Sequence, residues 1–408
     1  MKRLRVLYLH FTGQFGGASR SLAECVQSFP EAAVEPLFLT QRGNVSAVFA
    51  RLGEVIDTHG LTRFDHTRYS HYRGARWLVV LRELAFLPLT LRALRQAQKR
   101  WGTVDLIHLN EFSGLFALRL ARLWFAAPAI THVRSVLEDD ISLRRTRLLH
   151  RMLTNDVQGV IAIDENVRAS LPPGLAVEVI HNGFTPTAPL AVEQRFADRL
   201  GGLRQESFKV GFVGNLLRVK GIRELIEAAR LTRERGLDVE FIIVGADASP
   251  SGGVKAWLLR RLGLQQDMCL EVEAALDRHG LRDRVHLVGF TRDIAPVYRH
   301  MDVLAFPSHY DAPGRPIFEA AFSGVPSIVA VRTPRADTLI DGETGIAIKP
   351  HRADQLADAI ESLANDRPRA RRMGAAALAM ATRNFDATAN ARRVLALYRR
   401  VVGQAGSQ

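Results

Sequence analysis

Short apolar runs alternate with longer amphipathic stretches along the whole chain. That alternation predicts buried strands joined by helices. In the first half the predicted strands are residues 5–10, 34–40, 54–59, 104–110, 129–134, 159–164 and 178–181. Between them, helical spacing covers 18–29, 74–99, 112–125, 141–154 and 165–171. Residues 184–207 lose periodicity and carry Pro186, Pro189 and the pair Gly201-Gly202, which places a domain boundary near 190. The pattern then restarts, with strands at 209–214, 239–245, 285–290, 302–306, 327–330 and 345–348 and a helix at 221–235. The long stretch 252–280 predicts two helices. After Arg352 the chain reads as helical to its end, the last helix repeating apolar residues at Val394, Leu395, Leu397, Tyr398 and Val401. Strand–helix alternation of this kind makes parallel sheets with crossover helices. The fold class is therefore α/β, with two doubly wound parallel-sheet domains and a ligand cleft expected between them.

Composition narrows the class without fixing it. A length of 408 residues supports two or three separate cores. Cys25 and Cys269 are the two cysteines, and their spacing fits neither a metal site nor a disulfide framework. They read as buried thiols in a reducing compartment. The basic start at Lys2-Arg3 leads into an apolar run too short for a signal-peptide core, so it reads as a first strand. No run of 18 apolar residues predicts a transmembrane helix. A net charge of +13 admits nucleic acid, anionic lipid or acidic small substrates as partners.

The candidate chemistry lies at predicted strand ends. The segment from Pro307 to Pro326 follows a buried strand and carries Asp311 and Glu319, eight positions apart, around the bend Pro313-Gly314. At the carboxyl edge of an open α/β sheet, carboxylates accept hydrogen bonds from sugar or ribose hydroxyls and backbone N–H groups face phosphate. The strand 209–214 ends at Gly214-Asn215 and leads to Arg218 and Lys220, two cations suited to a diphosphate. In a group transfer, charge grows on that diphosphate as the bond breaks, so cations held there lower the barrier. Gly16-Gly17-Ala18 follows the first strand and permits close approach of a ligand, or is simply a flexible turn. His108 and His132 sit near predicted strand ends, where a histidine serves either packing or a ligand. Arg134 contacts an acceptor phosphate or pairs with Glu138. Glu138-Asp139-Asp140 reads as acidic charge at a helix start, and no metal-ligand cluster is expected.

Together these segments resemble the GT-B glycosyltransferases of the retaining GT4 type. The resemblance spans nearly the whole length, through Gly16-Gly17-Ala18, Asp105-Leu106-Ile107-His108, His181-Asn182-Gly183, Gly214 to Gly221, the acidic pair with Gly324-Val325-Pro326, and Asp341-Gly342-Glu343-Thr344-Gly345. It implies a GT-B fold with an acceptor-binding domain at 1–190, a nucleotide-sugar-binding domain at 191–385, and a final helix, 386–408, returning to the first domain. It implies transfer of a hexose from a nucleoside-diphosphate sugar to a hydroxyl of a bacterial glycan or lipid-linked acceptor. Arg218 and Lys220 would grip the diphosphate, Glu319 the ribose, and Asp311 and His132 would lie by the reacting sugar. Gly16, Gly17, Gly214, Asn215, Gly314, Arg315 and Pro316 would shape the donor site, with His108 and Arg134 on the acceptor side. Asp311 stands where the family has Glu, and Ala312-Pro313-Gly314-Arg315-Pro316 replaces its Gly-Phe-Gly. No cofactor or metal is implied, because cationic side chains take the metal's role.

Two basic segments, Arg68 to Arg100 and Ile141 to Leu153, mix Arg with Trp and Leu. They suit either ordinary surface helices or contact with an anionic membrane, as expected of a cytoplasmic protein peripheral on the inner face. No nucleic-acid motif or aromatic platform accompanies the charge, so nucleic acid is not an expected partner. The alternatives within the fold are a nucleotide-sugar epimerase and a degenerate, non-catalytic nucleotide-sugar binder.

Overall fold

The first apolar run forms β1 (Leu4–His10), a strand buried on both faces through its apolar centre, Val6-Leu7-Tyr8-Leu9. The computed structural model describes residues 2–67, 79–186, 200–245, 268–291 and 294–406. These divide into two units, Met1–Thr185 with Phe385–Gln408, and Pro186–Asn384.

The first unit holds β1, β2 (Val34–Gln41), β3 (Glu54–Thr58), β4 (Leu106–Leu109), β5 (Ala129–Val133), β6 (Gly159–Ala162) and β7 (Val177–Val179). All pair in parallel, in the order β3-β2-β1-β4-β5-β6-β7. The strand order reverses between β1 and β4, and that reversal opens a crevice at their carboxyl ends. Successive β1 side chains serve opposite cores. Leu7 and Leu9 join one layer, while Val6 and Tyr8 join another with α1 (Gly17–Gln27) and the C-terminal helix Ala387–Ala405. Val394, Leu395, Leu397, Tyr398 and Val401 of that helix are all buried there. Asp386 caps it, accepting from the Ala389 N–H at 2.6 Å.

The second unit repeats the plan with β8 (Phe208–Val213), β9 (Val239–Val244), β10 (Val285–Gly289), β11 (Val303–Phe306), β12 (Ser327–Ala330) and β13 (Gly345–Ile348). The order is β10-β9-β8-β11-β12-β13, again parallel, with the reversal between β8 and β11.

Several helices depart from their predicted limits. The helix expected over 74–99 is two, α2 (Val79–Ala85) and α3 (Leu87–Trp101), in its described part. Pro88, in the first turn of α3, has no N–H to continue the earlier ladder. The helix expected from Ile141 begins at Arg144, as α4 (Arg144–Asn155), because Leu143 is extended. Glu138-Asp139-Asp140 therefore lies in a loop and does not start a helix. Cys25 is buried as expected, but Cys269 is only partly buried. Of the two helices expected over 252–280, one is seen at Met268–His279; residues 252–267 lie outside the described residues, as do 187–199 of the proposed linker.

Candidate active site

In the second unit the cations follow β8. Gly214 closes that strand, its N–H bonding the Val244 carbonyl at 3.0 Å, and Asn215 is exposed beyond it. A single 3₁₀ turn, Arg218–Lys220, leads through Gly221 into α5 (Ile222–Glu234). Gly221 has φ 76°, and a Cβ there would stand 2.0 Å from the Pro307 carbonyl oxygen. Only glycine permits that approach, and it seats the cationic turn on the loop that leaves β11. His309 N–H reinforces the seat with a 2.9 Å bond to the Val219 carbonyl.

Lys220 Nζ lies 5.6 Å from the Phe306 ring centroid and 4.9 Å from that of Tyr310. No carboxylate forms an ion pair with it or with the exposed Arg218 among the described residues. Burial pulls the Lys220 ammonium down to about 8. The turn is thus electropositive and without a counter-charge of its own, the condition in which a bound anion gains most.

The two predicted acids are committed to partners. Asp311, at φ 53°, accepts from the Arg332 N–H and from Arg332 Nη1, both at 2.7 Å. Glu319 is 4% exposed on α6 (Arg315–Ala321) and accepts from Arg315 Nε at 2.5 Å and Tyr298 Oη at 3.1 Å. Gly314 caps α6; a Cβ there would stand 2.4 Å from Phe306 Cζ. Arg315 and Pro316 open the helix. Arg315 spends its guanidinium on Glu319 and the face of Phe318.

The first unit carries a separate polar cluster at the β1–β4 switch point. Asn110, just past β4, donates to His10 Nδ1 at 2.9 Å and to the Ala18 carbonyl at 3.2 Å. Arg134, just past β5, donates to Asn110 Oδ1 at 2.7 Å, Asn182 Oδ1 at 2.5 Å and His132 Nδ1 at 3.2 Å. That last bond leaves the His132 proton on Nε2, a buried donor without a protein partner among the described residues. His132 lines a small cavity with Ser21, Cys25, His181, Asn182 and Asn390. Burial first, then the charge of Arg134 and the neighbouring His108, holds His132 well below the ordinary histidine range, so it is neutral. Gly16 and Gly17 are exposed, with nothing within 4 Å of where a Cβ would sit.

His108, expected on the acceptor side, lies inside the first unit's core. It is 0% exposed, within β4, and its Nδ1 lies 2.5 Å from Tyr398 Oη on the C-terminal helix. Its ring packs between Tyr8 and His132 at 5.1 and 5.6 Å, as a core residue does.

Two features escaped sequence reasoning. Glu111 follows Asn110 with φ 143°, a strained value for a side-chain-bearing residue. Its carboxylate accepts from the Phe112 N–H at 2.9 Å, Ser135 Oγ at 2.9 Å and the Arg134 N–H at 3.4 Å. Burial nevertheless pushes it up to about 7. An acid directly after a buried strand was the available signal. The second is a potential metal-ligand group, Glu224, His309 and His351, whose donor atoms lie within 4.8 Å of one another. No short motif joins them, which is why none was expected.

Comparison with known proteins places this arrangement. Residues 194–380 match the family profile described as glycosyl transferases group 1, and residues 15–187 match glycosyltransferase family 4. The capsular polysaccharide biosynthesis glycosyltransferase CapM of Staphylococcus aureus is 27% identical over 40% of this chain and 38% of its own length. The D-inositol 3-phosphate glycosyltransferase of Corynebacterium diphtheriae is 29% identical over 60% of this chain and 53% of its own. The matches thus span less than two thirds of either relative. Among solved structures, Anabaena HepE in complex with UDP and glucose superposes with a TM-score of 0.72 at 22% identity, over 96% of this chain and 98% of that one. Sucrose-phosphate synthase from Thermosynechococcus elongatus gives 0.73 at 20% identity, over 98% and 100%. With two matched profiles covering most of its length and two parallel Rossmann-like sheets, the chain belongs to the GT4-type glycosyltransferases of the GT-B fold.

Proposed function

We propose that this chain transfers a hexose, with retention, from a nucleoside-diphosphate sugar to a hydroxyl of a bacterial glycan or lipid-linked acceptor. The observation that carries the proposal is the Arg218–Lys220 turn, two cations without a carboxylate partner among the described residues, fixed at the switch point of the second unit. A diphosphate supplies the missing counter-charge, and HepE, of the same fold, was crystallised with UDP. In this mechanism the bond between the anomeric carbon and the β-phosphate oxygen breaks. The acceptor oxygen bonds to the same face of that carbon, and the acceptor proton passes to the departing phosphate. Arg218 and Lys220 gain interaction as charge collects on that phosphate, with no metal at the diphosphate. Glu319 receives the ribose hydroxyls, and Asp311, held by Arg332, receives a sugar hydroxyl.

The test is transfer from a panel of UDP-, GDP- and ADP-sugars, with products separated in the presence and absence of acceptor. Arg218→Ala, Lys220→Ala and Glu319→Ala should each lower the rate on the order of 10²-fold, as removal of one transition-state partner does. Wild-type rates in all three would refute the site. Sugar conversion without acceptor would mean an epimerase, and nucleotide-induced stabilisation without turnover a degenerate binder.

An anionic membrane surface is the proposed location of the acceptor. Leu81 and Leu84 of α2, Ile141, Leu143 and Leu148 are exposed and interleaved with the exposed Arg82, Arg144, Arg145, Arg147 and Arg151. Both α2 and α4 are tied to the strip 62–66. Glu83 of α2 accepts from Thr62 Oγ1 and the Arg63 N–H, each at 3.0 Å, and Thr146 of α4 bonds His66 at 2.9 Å. Apolar side chains flanked by arginines are the composition that binds anionic headgroups, at about 1 kcal/mol per cation near the surface. No helix of the described residues is long and apolar enough to cross a membrane. Flotation with anionic vesicles at low salt tests this; no binding would remove the membrane from the proposal.

A further inference from the structure

We propose that Glu224, His309 and His351 form a binding site for one divalent transition-metal ion of the zinc class. The three come from different elements of the second unit: the first turn of α5, the loop after β11 and the loop after β13. His309 Nε2 lies 2.9 Å from Glu224 Oε1, and His351 Nδ1 lies 3.5 Å from the same oxygen. Metal–ligand bonds of about 2.0 Å in tetrahedral geometry set ligand atoms roughly 3.3 Å apart. The observed spacings bracket that value. Two imidazoles and one carboxylate suit zinc, cobalt or nickel and disfavour magnesium and calcium, which take oxygen ligands alone.

Hydrogen bonding alone leaves this cluster incomplete. Glu224 Oε2 is buried and has no partner among the described residues. The imidazoles of His309 and His351 lie with ring centroids 3.8 Å apart, both against the same Glu224 oxygen. A single divalent ion satisfies both observations, since it takes neutral imidazoles and the carboxylate together. His351 adopts φ 63°, a conformation that favours glycine, although its side chain is 58% exposed and fills no core. Packing therefore does not explain the histidine there, and ligation does. A fourth position would hold water. A metal there would brace the loop bearing Asp311 against α5 and the cationic turn.

The test reads metal and melting, not sugar transfer, so it stands apart from the proposed activity. Untagged full-length protein is dialysed against chelator and titrated with Zn²⁺, Co²⁺ or Mg²⁺. Co²⁺ should give the intense visible bands of low coordination number, and Zn²⁺ at a hundredfold excess over its Kd should raise Tm by about 5–10 °C, with Mg²⁺ doing neither. His351→Gly removes one ligand and relieves the positive φ, so the metal-free variant should melt no lower than wild type while its Zn²⁺ affinity falls at least about tenfold. Glu224→Gln should likewise lose the Co²⁺ bands. Wild-type protein with no metal-dependent shift would overturn the proposal. So would a full shift in His351→Gly, which would place the metal elsewhere.

Discussion

Replacing Lys220 by Met should make the protein more stable and less able to bind a nucleoside diphosphate. The side chain carries a charge against two aromatic faces, with no carboxylate partner among the described residues. Its value falls from the ordinary 10.5 to about 8 because burial disfavours the ammonium. At about 1.36 kcal/mol per pH unit, that fall corresponds to roughly 3 kcal/mol opposing the folded state while the group is charged. Methionine keeps contact with both rings and removes the charge, so stability at pH 7 should rise by about 1–3 kcal/mol. The pH dependence follows from linkage. Between pH 8 and 10.5 the unfolded chain binds the proton and the native protein does not, so wild-type stability rises across that window and is lowest below it. Met cannot titrate, so the advantage of the variant should shrink from pH 7 to pH 9.5. Urea unfolding at the two pH values measures this. UDP should raise the Tm of wild type and leave Lys220→Met nearly unmoved. A variant no more stable than wild type at pH 7, or an advantage equal at both pH values, would refute the claim that an uncompensated ammonium is held in place for a ligand.

Gly221→Ala forces a Cβ into a left-handed residue 2.0 Å from the Pro307 carbonyl oxygen; a loss of at least about 2 kcal/mol is expected in urea unfolding. Glu111 is raised to about 7, so between the ordinary 4.5 and about 7 the native protein holds a proton that the unfolded chain releases, and stability falls as pH rises. Glu111→Gln should flatten that part of the stability–pH curve, and an unchanged curve would exclude a Glu111 titrating near 7. Tyr398→Phe leaves His108 Nδ1 buried without its 2.5 Å partner and should cost about 1–3 kcal/mol without altering nucleotide binding to the second unit, as read by urea unfolding and UDP titration. Leu84→Glu with Ile141→Glu should weaken flotation with anionic vesicles while leaving Tm within about 1 °C, since both side chains are exposed.

The chain's own pattern determined the α/β class, because a strand buried on both faces needs an apolar centre. Residues 5–10 and Leu4–His10 agree on that ground alone. It also marked Arg218, Lys220 and Gly221, since a glycine and two cations immediately after a buried strand announce a loop at a sheet's carboxyl edge. What a strand's sequence does not carry is which face meets a helix from far along the chain. His108 and His132 look alike in sequence. Only the tertiary structure sets Tyr398 against the first and puts the second at a small cavity, with the Nε2 of each buried and without a protein partner among the described residues. Nor do short motifs record pairings made at long range. Asp311 with Arg332, Glu319 with Tyr298, and Glu224 with His309, 85 positions away, meet only because parallel strands bring their following loops and crossover helices side by side. Local periodicity specifies the elements. Their crossover connections decide which side chains become neighbours, and the chemistry lies in those neighbours.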